Sequence, residues 1–409
     1  MGGARYRVGL DVGSTTTSAV ILEPNADWEP NRGSARILGM GSARTEGVRR
    51  DAIANIEATT DSIRDSVREA ELTAGLEVDG VVVGFPAAHI QTQRSTGVVA
   101  IRSEEVSKDD VTRVHEVARA VVIPKERELL HAIPQDYVVD GHDGIQLPVG
   151  MAATRLETDL FIVTAASTAS RNLRKAVDRA GCRVEDLVLQ PLGSNIALLG
   201  QAERDAGVAL VEVRDAGTDV SVFRDGKIRQ LTSIPWGEMA VANDIVKGLG
   251  VSMEEAGKLK ERYGAARTAD VDPDEEIEIS GPVPGSRRRI SRELLAHIIE
   301  QRMDEVLGLV YERIEDEGLH DQLGAGFVLS GSGTSLPGIT TLAQHVFGAP
   351  VRVGTPGIGL TGMVKPVQDP RLATAVGLAL YGAMKGNGRS NGRVGRACGR
   401  MTAWFKDFF

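Results

Sequence analysis

The chain has only two cysteines, Cys182 and Cys398, among its 409 residues. That excludes a disulfide framework and fits a reducing compartment. Aromatic residues are scarce at 4%, so its cores must be built from Val, Leu, Ile and Ala. No apolar run reaches the roughly 18 residues a membrane-spanning helix needs. The opening stretch, MGGARYRVGLDVGS, lacks the apolar segment of a secretory signal. Positive charge is short as well: the net charge of -9 argues against a general nucleic-acid binder. The imbalance is uneven. The segment from Lys385 to Phe409 carries +5, leaving -14 on the rest.

What is present reads as globular. Hydrophobic residues make up 42%, charged residues 25%, and 47 glycines allow many turns. The length suggests two domains or one duplicated one. Tyr6–Ile21 is an apolar run, a Gly/Ser/Thr turn and a second β-prone run, which predicts a hairpin. Val208–Gly226 repeats the pattern, with Asp11 falling on Glu212, Val12 on Val213 and Thr17 on Thr218. Two such units about 200 residues apart suggest an ancient duplication. Helical spacing is expected over Asp51–Glu69, Ala169–Ala180 and Ser291–Glu317. Thr268–Arg289, with its acidic run and SGPVPGSRRR, reads as an exposed excursion. Alternating strands and helices make the class α/β. Gly386–Gly395, GNGRSNGRVG, reads as a flexible linker.

Two loops have phosphate-binding chemistry. In GLDVGSTTT, Asp11 at a strand end can hold a hydrated Mg ion. Gly13 lets backbone come close to a phosphate, and Ser14, Thr15 and Thr16 add donors. The same stretch could be a Gly/Ser/Thr turn with no ligand. In LSGSGTSLPG, Gly331, Ser332 and Gly333 precede a helical run, Ile339–Phe347, where a nucleotide could lie at the helix entrance. A plain strand-to-helix turn is the other reading. The two loops together with the repeated hairpin favour a nucleotide cleft.

The final segment, RACGRMTAWFKDFF, places Met401, Trp404, Phe405, Phe408 and Phe409 on one helical face. With Arg400 and neighbouring cations it has the pattern of an interfacial membrane helix. A helix folded back on the body is the alternative.

At this point a resemblance becomes specific. GLDVGSTTTSAV, GVRRDAIANIEATTDSI, HIQTQRSTGVVAI, HAIPQDYVVDGHDGIQLPVGM, FVLSGSGTSLPGI, FGAPVRVG and DPRLATAVGLALYG resemble FtsA, the bacterial actin-like cell-division family, over nearly the whole length. The resemblance implies the actin-like ATPase fold, of the duplicated ribonuclease H-like kind, with two domains around a nucleotide cleft. Domain 1 would span 1–195 with an inserted subdomain at about 85–160. Domain 2 would span 196–385 with an outer subdomain at about 235–310, followed by the linker 386–395 and the membrane helix 396–409. The implied partners are the C-terminal peptide of the tubulin-like FtsZ, other copies of the chain in filaments, membrane lipids and later division proteins. The implied location is the cytoplasmic face of the inner membrane at the division site. The FtsZ peptide would meet Arg288, Arg292 and Arg302, around the helix Ser291–Glu317. A solvated basic face is the plainer reading of those arginines. An actin-like component of a pilus or secretion platform would share the fold.

The implied ligands are ATP and Mg, but the chain departs from the family here. The family's second phosphate loop resembles Asp-Ile-Gly-Gly-Gly-Thr; this chain has EVRDAGT, keeping Gly217 and Thr218 but inserting Arg214 and Asp215. A carboxylate about 4 Å from a phosphate is worth about 4 kcal/mol of repulsion at an effective dielectric near 20. Further on, Lys260 is kept for the ribose and adenine, while Gly257 replaces the family's Glu. The expectation is ATP held weakly, with little or no hydrolysis and no catalytic residue. The alternative is a turn released from ligand duty and held by a local Arg214–Asp215 pair.

Overall fold

The computed structural model describes residues 6–25, 34–281, 283, 285–357 and 359–387. Of the expected linker 386–395, residues 386 and 387 end the helix Ala373–Asn387; residues 388–395 and the expected membrane helix, with Arg400, Met401, Trp404, Phe405, Phe408 and Phe409, lie outside the described residues.

Two sheets carry the body. The first runs Arg183–Leu189, Gly80–Phe85, Arg7–Val12, Thr16–Pro24, Ala35–Arg44, with Leu360–Gly362 at its edge. The second runs Val351–Val353, Phe327–Ser330, Val208–Val213, Thr218–Arg224, Lys227–Ile234. In each, a hairpin turns back from a central strand that pairs in parallel on its other side. The central strands are buried on both faces, so RVGLDV and VALVEV read as near-continuous rather than alternating apolar runs. The duplication holds to the register. Val12 opposes Thr17 and Asp11 opposes Ser18, while Val213 opposes Thr218 and Glu212 opposes Asp219. Even the turns match: Gly13 N–H donates to Thr16 O at 3.0 Å, and Arg214 N–H to Gly217 O at 2.9 Å. This is the actin-like fold, mixed α/β and built twice.

The helix expected from Asp51 starts later, at Ile56, and runs to Ala74. Asn55 caps it by accepting from the amides of Glu57 and Ala58, and Gly75 closes it in the left-handed region. Residues 48–53 instead form a small hairpin whose turn, Arg50–Asp51, has φ of 49° and 60°, the signature of a type I′ turn. Ile56, Ile63 and Val67 keep helical spacing within the helix, but Asn55 fixes where it can begin.

Between the first sheet's strands lies an inserted four-stranded sheet, in the order Ile90–Ala100, Arg155–Ala166, Arg127–Val139, His142–Ile145, covered by the helix Lys108–Arg119. That helix opens with a capping box between Ser107 and Asp110. In the second half, the helices Glu238–Leu249, Met253–Tyr263 and Arg292–Glu315 pack outside the sheet. The segment read as an exposed excursion folds into a hairpin, Glu276–Ser280 with Arg287–Ser291. Its Ile277 and Ile279 are buried while the alternate positions carry charge. The alternation was hidden by the charge count.

The helix Ala373–Asn387 crosses beneath the first sheet. It meets the helix Gln190–Leu198 at a glycine contact: a Cβ on Gly377 would lie 1.8 Å from Gly193 O. One core cluster includes Leu10 and Val83 from the first half and Leu210, Phe223 and Val328 from the second.

Candidate nucleotide cleft

Asp11 is the penultimate residue of the central strand of the first sheet and is 6% exposed. Gln190 Nε2 donates to its Oδ1 at 2.6 Å. Arg214, in the turn of the second hairpin, reaches it from the opposite half, with Nη2 at 3.0 Å from Oδ2 and 3.3 Å from Oδ1. Nη1 of Arg214 lies 3.5 Å from Thr374 Oγ1. Both carboxylate oxygens that could face a hydrated cation therefore already face N–H donors.

Asp215 takes other partners. Its carboxylate accepts from Thr15 Oγ1 and, at 3.4 Å, from Ser332 Oγ. The expected local Arg214–Asp215 pair does not form; both side chains reach the first loop instead, Arg214 at Asp11 and Asp215 at Thr15. Ser14 is committed as well. Its hydroxyl donates to Asp51 Oδ1 at 2.9 Å and accepts from Asp51 N–H at 3.1 Å. The turn of the small hairpin thus leans on the first loop. His89 adds a contact to Asp51 O at 3.0 Å.

The glycines have packing reasons. Gly331 sits at φ 83°, and a Cβ there would come within 2.5 Å of Val213 O. A Cβ on Gly333 would meet Val213 Cγ1 at 2.4 Å. One on Gly13 would meet Thr16 O, and one on Gly217 would meet Ile234 O, each at 2.8 Å. These positions need glycine to admit neighbouring chain. Thr16 begins a strand, and Thr218 is buried with its hydroxyl donating to Trp236 O at 2.8 Å. Lys260 pairs with Glu238 at 2.7 Å, with both side chains largely buried. At Gly257 a Cβ would meet nothing within 4 Å, so sterics do not explain the missing Glu.

The electrostatics centre on Arg214. Burial would lower its pKa, but Asp11, then Glu212, Asp219 and Asp51 more than offset this and hold the guanidinium protonated. Glu212 is pushed up to about 7 by burial, with Arg214 pulling it down. Asp219 is pushed up to about 6 for the same reason. Oε2 of Glu212 has no hydrogen-bond partner.

The side chains therefore do not fit Mg and ATP as the resemblance implies. Asp11 is neutralised by a fixed cation, and a carboxylate takes the hydroxyls of Thr15 and Ser332. A cavity of about 700 Å³ opens nearby. Its wall includes Asp51, Gly217, Trp236 and Met239 but none of Asp11, Gly13, Gly331 or Gly333. Sequence reading missed Gln190 and Asp51 as partners of the first loop. A Gln-Pro step directly after the strand Arg183–Leu189 was the available signal for Gln190; nothing local marked Asp51.

The expected partner arginines are all engaged. Arg302 pairs with Asp244 and Glu305, both at 2.5 Å, and lies 5.5 Å from the ring centroid of the half-exposed Trp236. Arg292 pairs with Glu275 at 2.7 Å and donates to Tyr263 O at 2.9 Å. Arg288 donates to Leu249 O.

A family model described as "SHS2 domain inserted in FTSA" matches residues 87–164, and one for "Cell division protein FtsA" matches 209–377. The FtsA of Pseudomonas aeruginosa is 36% identical over 380 residues, covering 92% of this chain and 89% of that protein. The FtsA of Neisseria meningitidis serogroup B is 35% identical, covering 99% of each. The FtsA of Escherichia coli K12 is 32% identical, covering 98% of each. Among solved structures, a PilM–PilN type IV pilus biogenesis complex superposes with a TM-score of 0.65 at 16% identity, covering 92% of this chain and 98% of that one. MreB5 of Spiroplasma citri bound to ADP superposes with a TM-score of 0.58 at 12% identity, covering 96% and 100%. At such identities these structures speak for the fold alone.

Proposed function

The chain belongs to the FtsA family of cell division proteins, and on that premise we propose that it is a membrane adaptor for an FtsZ polymer. The observation that carries this reading is likeness to FtsA relatives over 98–99% of the chain, with the inserted subdomain matched by its own family model. In this reading the C-terminal segment, with Met401, Trp404, Phe405, Phe408 and Phe409 on one face and Arg400 beside them, lies in the cytoplasmic leaflet of the inner membrane at the division site. The body assembles with copies of itself and recruits later division proteins.

The FtsZ tail peptide docks on the outer part of the second half, near Arg288, Arg292 and Arg302. Trp236 beside Arg302 supplies an exposed aromatic surface, and arginines next to an aromatic suit a peptide that mixes acidic and apolar residues. The adaptor role requires tethering and gripping, and no step of it requires nucleotide turnover.

A flotation experiment tests the reading. Purified FtsZ is centrifuged with anionic vesicles, with and without this protein. FtsZ is expected to rise with the vesicles only when the protein is present. FtsZ left at the bottom of the gradient in both cases would overturn the proposal.

A further inference from the structure

We propose that Arg214 and Asp215 are a built-in replacement for the metal ion and terminal phosphate of an actin-like cleft, latching the two halves together without nucleotide. Arg214 supplies the cation at Asp11, within 3.3 Å of both oxygens. Asp215 supplies the anion at Thr15 and Ser332. The two residues are neighbours in one turn of the second half, while Asp11, Thr15 and Gln190 belong to the first. The contacts Arg214–Asp11 and Asp215–Thr15 therefore both cross the cleft from one short turn, while Asp215–Ser332 lies within the second half.

Three further observations support a latch rather than a degraded site. The turn keeps the backbone hydrogen bond of its counterpart Gly13–Thr16, so the hairpin is intact and only its side chains have changed role. Gly331 and Gly333 admit Val213, immediately before Arg214, so the third loop is shaped to the turn that carries the pair. The inserted subdomain makes a second crossing, where Asp136 pairs with Lys227 and Arg229. Closure is thus held at two separated points.

An incoming nucleotide would meet the Asp215 carboxylate and would have to displace Arg214 from Asp11. It would also strip Glu212 and Asp219 of the counter-charge that Arg214 gives them within the buried cluster. Self-assembly and tethering would then be independent of the nucleotide state, unlike those of a cytomotive actin.

Hydrogen–deuterium exchange on the full-length protein, without lipid or FtsZ, tests this and reads the latch separately from the adaptor role. In the unaltered protein, protection over 12–17 and 213–218 is expected to be the same with and without millimolar Mg-ATP. Slowed exchange there on adding Mg-ATP would overturn the proposal. Arg214→Gln is expected to speed exchange in both segments by about tenfold or more, because local opening no longer breaks an ion pair. Unchanged exchange would overturn it. Should Arg214→Gln fail to fold by circular dichroism, Asp215→Ala decides. It is expected to speed exchange over 12–17 by at least about fivefold, and no change there would sink the latch.

Discussion

At the residue scale, the buried cluster around Arg214 makes stability depend on pH in a direction that can be worked out. Glu212 titrates at about 7 in the folded protein, against 4.5 for an ordinary Glu. Between those values the folded chain holds a proton that the unfolded chain has lost. Glu212 therefore favours folding most at low pH, and that contribution is lost as pH rises through about 7, up to a ceiling of about 3 kcal/mol. Buried His131, pushed down to about 4 by desolvation, acts in the opposite sense between 4 and 6.5. Comparison with Glu212→Gln cancels the His131 effect, since both proteins carry it. The melting temperature of Glu212→Gln is expected to gain on the unaltered protein from pH 5 to pH 8. A gap that stays constant, or shrinks, would mean Glu212 is not a desolvated carboxylate. Arg302 is the other residue-scale test. Arg302→Glu sets like charge against Asp244 and Glu305 and removes the cation beside Trp236. An FtsZ-tail peptide should bind it at least about tenfold more weakly by fluorescence anisotropy; equal affinity would move the docking surface elsewhere.

At the scale of elements, the helix pair Gln190–Leu198 and Ala373–Asn387 deserves the sharper prediction. Gly377 touches Gly193 so closely that any side chain must push the helices apart. The first helix carries Gln190, which holds Asp11, and the second carries Thr374, which faces Ser194 at 2.9 Å and Arg214. Gly377→Ala is expected to cost about 1–3 kcal/mol through overpacking and to lower the calorimetric melting temperature by several degrees. An unaltered melting curve would show that the crossing has slack. The elements themselves were largely legible. Both hairpins, the long helix before Glu317 and the helix after Gly338 follow from apolar runs, turn residues and caps close in sequence. The hairpin at 276–291 was masked because its exposed face is almost wholly charged. The helix start moved from Asp51 to Ile56 because a type I′ turn of two non-glycine residues gives no compositional warning.

At the scale of the whole molecule, the halves share one core and two ion-paired crossings, so the body behaves as a closed unit. The membrane attachment is then separable from it. A chain ending at Gly386 is expected to lose flotation with anionic vesicles while keeping its affinity for the FtsZ-tail peptide. Equal flotation of the two chains would refute the terminal anchor, and joint loss of both properties would mean that the tail is part of the body's fold.

The sequence by itself determined the α/β class, the duplicated hairpins, the family and the residues of the three loops, because each rests on local spacing or on motifs within about twenty residues. It also marked Arg214 and Asp215 as foreign to a phosphate loop. Only the tertiary structure decided what those two residues do. Arg214 meets Asp11 across 203 positions and Asp215 meets Thr15 across 200. Which of several nearby charges an arginine takes depends on how the two halves close, and long-range closure leaves no periodic trace in the chain.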